Sequence, residues 1–194
     1  MTMTNSELEE VRQKLPSPKG LEELQKATEL IHQGTVVDFY HDAVTLPDGR
    51  EGQRDRLMHP GGVVVCPMLD NGDVVLVQQF RYAPGQAMIE FPAGKLDAGE
   101  SPLEAAQREL AEETGYACSE MRPLGKIYTS PGFCNECLWL YHSTGLTTAD
   151  PVHTCDDEEN LQLITLPLAE LKMLAAAGDI VDAKTLAILA LLSL

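Results

Sequence analysis

Residues 99–116, "GESPLEAAQRELAEETGY", carry the local signals of a helix with well-defined ends. Ser101 is a favourable N-cap, Pro102 suits the first helical position, and Glu104 lies three residues after the cap, where it completes a capping box. Gly115 can adopt the left-handed conformation with which many helices end. The sequence therefore predicts a helix that begins at Pro102 and ends just before Gly115.

The last turns of this predicted helix carry unfavourable charges for a helix terminus. Glu109 is followed by Glu112 three residues later and by Glu113 four residues later. Each such like-charge pair costs an exposed helix about 0.2–0.5 kcal/mol. Negative charge beside the C-terminal carbonyls adds a penalty of about 0.3–1 kcal/mol for each group. A segment that follows the helix rules at its start and breaks them at its end indicates a functional site.

The same spacing brings the carboxylates together, because residues three and four apart share one face of a helix. Glu100, just before the N-cap, is a possible further member of the cluster. Between Lys95 and Tyr116, six acidic residues are opposed only by Lys95 and Arg108. Such a cluster suits hard divalent ions, Mg²⁺ or Mn²⁺, which bind oxygen ligands and bridge to phosphate. A solvated acidic face is the alternative, and the helix alone does not decide between them.

Length and charge limit the class of protein. A chain of 194 residues can form one domain with a substantial core and an appendage. A net charge of −16 argues against affinity for nucleic acid or anionic membranes, although divalent cations would still allow an anionic substrate. No apolar run approaches a membrane span of about 20 residues, and "MTMTNSELEE" does not resemble a signal peptide. We therefore expect a cytoplasmic protein with neither nucleic acid nor membrane partners.

Outside the acidic helix, the hydrophobic pattern favours strands joined by hairpin turns. "TVVDFYHDAVTLPDGREGQRDRLMH" predicts two strands around a Pro-Asp-Gly turn, and "GGVVVCPMLDNGDVVLVQQFRY" predicts two around Asn71 and Gly72. "LEELQKATELIHQG" is ambiguous between helix and strand. The other predicted strands are "MRPLGKIYTS", "CLWLYHSTGL" and "LQLITLP", and the other helices are "NSELEEVRQKL", "LAELKMLAAAGDI" and "DAKTLAILALLSL". The fold class is α+β with a mixed sheet.

Residues 94–116, "GKLDAGESPLEAAQRELAEETGY", resemble the Nudix box. The match departs from the pattern only at its last position, where Tyr116 stands in place of the usual aliphatic residue. The matching positions are Gly94, Glu100, Arg108, Glu109, Leu110, Glu112, Glu113 and Gly115. The resemblance implies a Nudix hydrolase, an α/β/α sandwich that cleaves a nucleoside diphosphate linked to another moiety.

The resemblance also implies roles for the box residues. Glu109 and Glu113 are expected to be the principal metal ligands, with Glu112 a ligand or a catalytic group close to metal and water. The main-chain carbonyl of Ala93, just before the box glycine, is a further expected ligand.

Arg108 has a role that can be argued from charge as well as from the resemblance. As the cation of the helix interior, it can pair with Glu100 or Glu112 and hold these carboxylates in place. We therefore include Arg108 among the catalytic residues. The alternative is a simple surface ion pair.

Residues 27–190 resemble one Nudix branch more closely, the ADP-ribose pyrophosphatases. "VVLVQQFRYAPGQAMIEFPAGKL" contains the branch's QxR and E-x-PAG segments. "YTSPGFCNE" resembles its SPG motif, with Pro131 fifteen residues after Tyr116. Pro131 is the usual marker of the branch and is assigned to the substrate-binding region.

Three further groups become candidates for substrate binding through this resemblance. Arg81 would contact the diphosphate or the distal ribose, and Glu136 would accept hydrogen bonds from the terminal sugar. Arg54 and Arg56 fall where relatives carry basic residues that reach the ligand across a dimer interface. For Arg81, Arg54 and Arg56, a surface arginine without a ligand is the alternative.

The polar loop "CDDEEN", residues 155–160, is a second candidate acidic site. Relatives use a glutamate of this loop as a base or an additional metal ligand. Glu159 is the expected residue, with Asp157 two residues earlier as a second catalytic candidate. Asp156 and Glu158 stay open as substitutes because loop lengths vary.

Together these features predict a Mg²⁺-dependent enzyme, with Mn²⁺ as a substitute, that hydrolyses ADP-ribose to AMP and ribose 5-phosphate. The closest alternative is the same reaction on another nucleoside diphosphate sugar, such as ADP-glucose or GDP-mannose. A non-catalytic, ligand-sensing Nudix domain is the alternative from another class. We assign residues 1–26 to an N-terminal extension, 27–59 to strands that form a homodimer, and 60–194 to the Nudix hydrolase domain.

Overall fold

The computed structural model describes residues 4–149 and 160–193, and these contain four helices and ten strands. No helix in these two ranges is both long enough and apolar enough to cross a bilayer. The helices are α1 (Asn5–Arg12), α2 (Pro102–Thr114), α3 (Leu168–Ala177) and α4 (Ala183–Leu191). The strands are β1 (Leu24–Gln33), β2 (Asp38–Thr45), β3 (Glu51–Met58), β4 (Gly62–Pro67), β5 (Asp73–Arg81), β6 (Gln86–Glu90), β7 (Ala93–Lys95), β8 (Tyr116–Tyr128), β9 (Cys137–Thr148) and β10 (Gln162–Pro167).

The described chain divides into two compact units, of which the first contains residues 4–59 and 132–135. Its strands form an antiparallel sheet in the order β1-β2-β3. The predicted Pro-Asp-Gly turn joins β2 to β3, with Gly49 at φ 87°. The segment that was ambiguous in the sequence is β1, which is exposed along its whole length. The separation of residues 1–26 from 27–59 stays a prediction.

The second unit, residues 60–131 and 136–193, contains two sheets. One has the order β7-β4-β9-β8, in which β4 and β9 are parallel and the other pairs antiparallel. The other sheet has the order β10-β5-β6 and is antiparallel. The predicted α+β class with a mixed sheet is therefore confirmed.

The turn at Asn71 and Gly72 closes a single antiparallel bridge, between Met68 and Val74, and not the longer hairpin that the sequence suggested. Gly72 has φ 87° and the turn forms, but β4 and β5 belong to different sheets. Every residue of β4 is buried, so it is a central strand, and both of its edges are taken by β7 and β9. No edge of β4 is left for β5, which pairs instead with β6 and β10.

Alternation along β4 gives this sheet two different apolar faces. Val63 and Val65 pack in a cluster with Ala106 and Leu110 of α2. Their neighbours on β4 face the main core, which contains residues of β5, β9, α3 and α4. Helix α2 is thus held on one face of the mixed sheet. Leu103 is not part of this contact: it is 44% exposed, because the buried stripe of α2 starts one turn later.

Candidate active site

Helix α2 has the ends that the sequence predicts. The Ser101 side chain accepts a hydrogen bond from Glu104 N, and the Glu104 carboxylate accepts one from Ser101 N at 2.9 Å. At the other end Gly115 is in the left-handed region, with φ 70°. Between these ends, Glu109 and Glu113 lie four residues apart on one face of the helix and are buried, at 8% and 5% exposure.

Strand β7 lies directly against these two glutamates. The Ala93 N–H donates to Glu113 Oε2 at 2.9 Å. A Cβ at Gly94 would overlap the carboxylate of Glu109, so any other residue there would displace that carboxylate. The structure therefore brings Ala93, Glu109 and Glu113 together, as expected for ligands of one site.

Arg108 joins the acidic residues that precede and follow it. Its Nε and Nη2 donate to the two oxygens of Glu100, each at 2.9 Å. Nη1 donates to Glu109 Oε1 at 2.7 Å and to Glu112 Oε2 at 2.9 Å, and Nη2 also reaches the Lys95 carbonyl at 3.1 Å. These hydrogen bonds, those to Glu100 first, raise the pKa of Arg108 and lower the pKa of Glu100. Arg108 thus contacts both predicted partners, Glu100 and Glu112, and also Glu109.

The donor set fits a hard divalent cation in its chemistry. It consists of carboxylate oxygens, two of them on buried side chains, and oxygen is the ligand that Mg²⁺ and Mn²⁺ prefer. In the part of the chain that the structure describes, however, no three His, Cys, Asp or Glu side chains are grouped as a ready metal site. Arg108 Nη1 lies between Glu109 and Glu112 instead. A metal would therefore require the glutamate side chains to turn toward a common point.

Arg81, at the end of β5, is paired with an acid that sequence reasoning did not select. Its Nε and Nη2 donate to the two oxygens of Glu90, at 2.8 and 2.7 Å. The pKa of Arg81 is raised, mainly by this pair and further by the charge of Glu113. The carboxylate of Glu90 is 1% exposed. The sequence did contain a signal for this pair. Glu90 ends a strand directly before "FPAG", and an acidic residue that is buried there requires a cationic partner.

Arg54 and Arg56, in the first unit, both have partners within that unit. Arg54 pairs with Glu23 through Nε, at 2.8 Å, and through Nη2. Arg56 Nε donates to Asp42 Oδ2 at 2.6 Å, and its guanidinium lies 4.8 Å from the centre of the Tyr40 ring. Their predicted contact with a ligand across a dimer interface stays a prediction.

Glu136 lies at the other end of the predicted SPG segment, in the second unit. The Thr129 hydroxyl donates to Glu136 Oε2 at 2.5 Å, and the Thr129 N–H donates to the Glu136 carbonyl at 3.3 Å. Thr129, which sequence reasoning missed, orients Glu136, while Pro131 belongs to the turn between them. The acidic loop candidates, Asp156, Asp157, Glu158 and Glu159, lie outside the described residues.

The second unit thus combines a mixed sheet with a capped helix whose buried glutamates lie beside a glycine of an adjoining strand. The NUDIX domain family matches residues 58–187. The chain therefore belongs to the Nudix hydrolase family, and the expectation of an enzyme from this family is confirmed.

Individual relatives cover almost the whole chain. It is 36% identical over 167 residues to the ADP-ribose pyrophosphatase of Bacillus subtilis (strain 168), covering 86% of this chain and 90% of the relative. It is 40% identical over 167 residues, with the same coverage, to the methanol dehydrogenase activator of Bacillus methanolicus. A crystal structure of an ADP compounds hydrolase has the same fold, with a TM-score of 0.79, 22% identity, and coverage of 89% of this chain and 92% of that chain.

Proposed function

We propose that the chain hydrolyses the diphosphate bond of ADP-ribose, giving AMP and ribose 5-phosphate. The observation that carries the proposal is the cluster of glutamates along α2, of which Glu109 and Glu113 are buried and lie against β7. The chain is also 36% identical to an ADP-ribose pyrophosphatase. A diphosphate is doubly negative, and the cluster by itself would repel it. A cationic partner for the glutamates is therefore part of the proposal.

We further propose that Glu109, Glu112 and Glu113, with the Ala93 carbonyl, hold Mg²⁺, for which Mn²⁺ can substitute. When bound, a divalent ion activates water and stabilises charge that develops on the diphosphate. Arg108 fixes the carboxylates by its hydrogen bonds to Glu109 and Glu112. Glu112 is half-buried and could accept a proton from water, and Glu159 or Asp157 is the proposed alternative base.

The substrate would lie between the glutamate cluster and Arg81, whose guanidinium is 39% exposed. Arg81 would donate to the diphosphate, and Glu136, oriented by Thr129, would accept hydrogen bonds from the terminal sugar. Pro131 shapes the turn between Thr129 and Glu136. None of these groups reads the base directly, so ADP-glucose and GDP-mannose are the alternative substrates.

Two experiments test this function. The first compares kcat/KM for ADP-ribose, ADP-glucose and GDP-mannose in excess Mg²⁺; if ADP-ribose is not among the best substrates, the specificity is wrong. The second replaces Glu113 by Gln, with Glu170→Gln, at an exposed position of α3, as the matched control. We expect Glu113→Gln to lose most of the turnover and Glu170→Gln to keep it. Near-normal turnover by Glu113→Gln would exclude the proposed metal ligand, and no turnover of any compound by the wild type would favour a ligand-sensing domain.

A second candidate function is activation of a methanol dehydrogenase. The specific observation in its favour is the 40% identity over 167 residues to a protein named for that activity. The test measures methanol dehydrogenase turnover with and without the chain, and again with Glu113→Gln. An increase that survives Glu113→Gln would indicate a binding effect separate from hydrolysis, whereas no increase would remove this candidate.

We also propose a homodimer that forms through residues 27–59. Strand β1 is exposed throughout, and its apolar residues Leu24, Leu30 and Ile31 are 66%, 48% and 48% exposed. A dimer would bury these side chains and bring Arg54 and Arg56 toward a partner's ligand. Sedimentation equilibrium of the wild type and Leu30→Lys tests this, since a monomeric wild type would contradict it. The cytoplasmic location and the absence of a nucleic acid partner stay predictions.

A further inference from the structure

The carboxylate of Glu90 has a second cationic partner, Lys184, which comes from the C-terminal helix. Lys184 Nζ donates to Glu90 Oε2 and, at 2.9 Å, to Asp182 Oδ1. Glu90 Oε2 also accepts from Arg81 Nη2. The Lys184 side chain is 11% exposed, the Glu90 side chain 1% and the Arg81 side chain 39%, so the chain of contacts runs from the interior to solvent.

The N-terminus of α4 is attached to the end of β6 by contacts that do not involve Lys184. Asp182 caps α4 by accepting from the Thr185 N–H at 3.0 Å and from its hydroxyl at 2.7 Å. The Thr185 hydroxyl in turn accepts from the Phe91 N–H at 2.9 Å. An apolar residue at position 184 would leave these contacts in place. Lys184 is therefore not needed to attach α4, and its contact with the Glu90 carboxylate must serve another purpose.

Glu90 orients Arg81 by a two-point contact. The contact uses Nε–H and one Nη2–H of a guanidinium that has five N–H groups. The other three donate to no residue in the described part of the chain, and Arg81 is close enough to Glu113 for that charge to raise its pKa. If Arg81 were its only partner, the Glu90 carboxylate could rotate together with the guanidinium. Because Lys184 also holds this carboxylate, the plane of the Arg81 guanidinium is fixed.

We propose that Lys184 is a positioning residue for substrate binding: it fixes the carboxylate of Glu90, which in turn holds the guanidinium of Arg81 toward the diphosphate. The inference rests on the proposed function, in which Arg81 contacts the diphosphate. Burial raises the pKa of Glu90, but Arg81 and Lys184 together lower it below its usual value. Glu90 is therefore a carboxylate that both cations can contact across the working pH range.

The test is a double-mutant cycle with Lys184→Met and Arg81→Ala. We expect Lys184→Met to raise KM for ADP-ribose about tenfold, with kcat changed less than about threefold. The reason is that Arg81 is proposed to hold the diphosphate equally before and during the reaction, and loss of such uniform binding raises KM with little change in kcat. In the Arg81→Ala background we expect no further increase in KM, since the effect passes through Arg81. Lys184→Arg, which keeps the charge and the donors, should restore a KM close to that of the wild type.

Controls separate positioning from loss of structure. Lys172→Met removes a lysine of α3 that makes no ion pair within the described residues, and it should leave KM unchanged. Circular dichroism and thermal unfolding identify variants that do not fold. If Lys184→Met does not fold, Lys184→Gln, which keeps a donor to Glu90, replaces it in the cycle. Additive effects of the Lys184 and Arg81 changes on KM would overturn the proposal, as would a lower Tm without any change in KM.

A binding measurement keeps this inference distinguishable from the proposed function. The Kd is measured by calorimetry in Mg²⁺ for an ADP-ribose analogue with a methylene group in place of the bridging oxygen of the diphosphate, which cannot be hydrolysed there, and the same cycle applies to it. If the wild type binds the analogue but does not cleave ADP-ribose in Mg²⁺, the proposed function fails while the cycle on Kd still decides the role of Lys184. If the wild type in Mg²⁺ binds neither the analogue nor any of the three nucleotide sugars, both proposals are wrong.

Discussion

The carboxylate of Glu109 occupies the space that a side chain at Gly94 would need. This relationship joins α2 to β7 and explains why the box begins with a glycine although that residue has no left-handed backbone angle. The requirement is one of volume: a Cβ at this position would meet the carboxylate, and the buried glutamate would have to move away from its observed position.

Gly94→Ala is therefore expected to displace Glu109. Overpacking of this kind costs about 1–3 kcal/mol of stability, and displacement of a site residue by about 1 Å can reduce turnover about 100-fold. Urea unfolding and kcat for ADP-ribose measure the two effects. Glu109→Asp, added to Gly94→Ala, shortens the displaced side chain and should recover part of the stability but not the turnover. A Gly94→Ala variant with both wild-type stability and wild-type turnover would contradict the overlap.

Arg108→Ala is expected to reduce activity about 10- to 100-fold, the usual cost of losing a group that orients metal ligands. The reason is that Arg108 donates to Glu109 and Glu112, at 2.7 and 2.9 Å. The measurement is kcat as a function of Mg²⁺ concentration, because an orienting role also weakens apparent metal affinity. Arg122→Ala, an exposed arginine of β8, is the control and should behave as the wild type.

Mg²⁺ is expected to stabilise the folded chain through the glutamate cluster. A ligand that binds only the folded state at 100 times its Kd adds about 2.7 kcal/mol to the free energy of unfolding. Thermal unfolding with and without Mg²⁺ should show a rise in Tm for the wild type and a much smaller rise for Glu109→Gln. EDTA should abolish turnover, and Mg²⁺ or Mn²⁺ should restore it. Equal Tm shifts in the two proteins would place the metal elsewhere.

The pair of Asp42 and Arg56 predicts a pH dependence of stability. Hydrogen bonds from Arg56, with further contributions from Thr28 and Gln25, lower the pKa of Asp42 from 3.8 to about 2. A carboxyl whose pKa is lower in the folded state contributes stability that is complete above its unfolded pKa and disappears as pH falls through its folded pKa. The difference in stability between wild type and Asp42→Asn should therefore be constant above about pH 4 and shrink toward pH 2. Asp48→Asn, in the exposed turn after β2, is the control.

The local sequence determined the elements whose hydrogen bonds close within a few residues. The N-cap at Ser101, the capping box with Glu104 and the stop at Gly115 are all as predicted, because each depends on groups at most four residues apart. The spacing of Glu109 and Glu113 set their common face for the same reason. These features, with the Nudix box, were sufficient to assign the family.

The tertiary structure decided what depends on groups far apart in the chain. Strand β4 pairs with β7 and β9 instead of β5, because burial on both faces makes it central and that choice involves the whole sheet. Glu90 forms an ion pair with Lys184, which is 94 residues away in the sequence. No local sequence pattern indicates such a pair. Local hydrogen bonds are specified by neighbours in sequence, whereas partners of a buried charge are specified by which elements pack together. The helix could therefore be predicted from the sequence, while the arrangement around Arg81 could not.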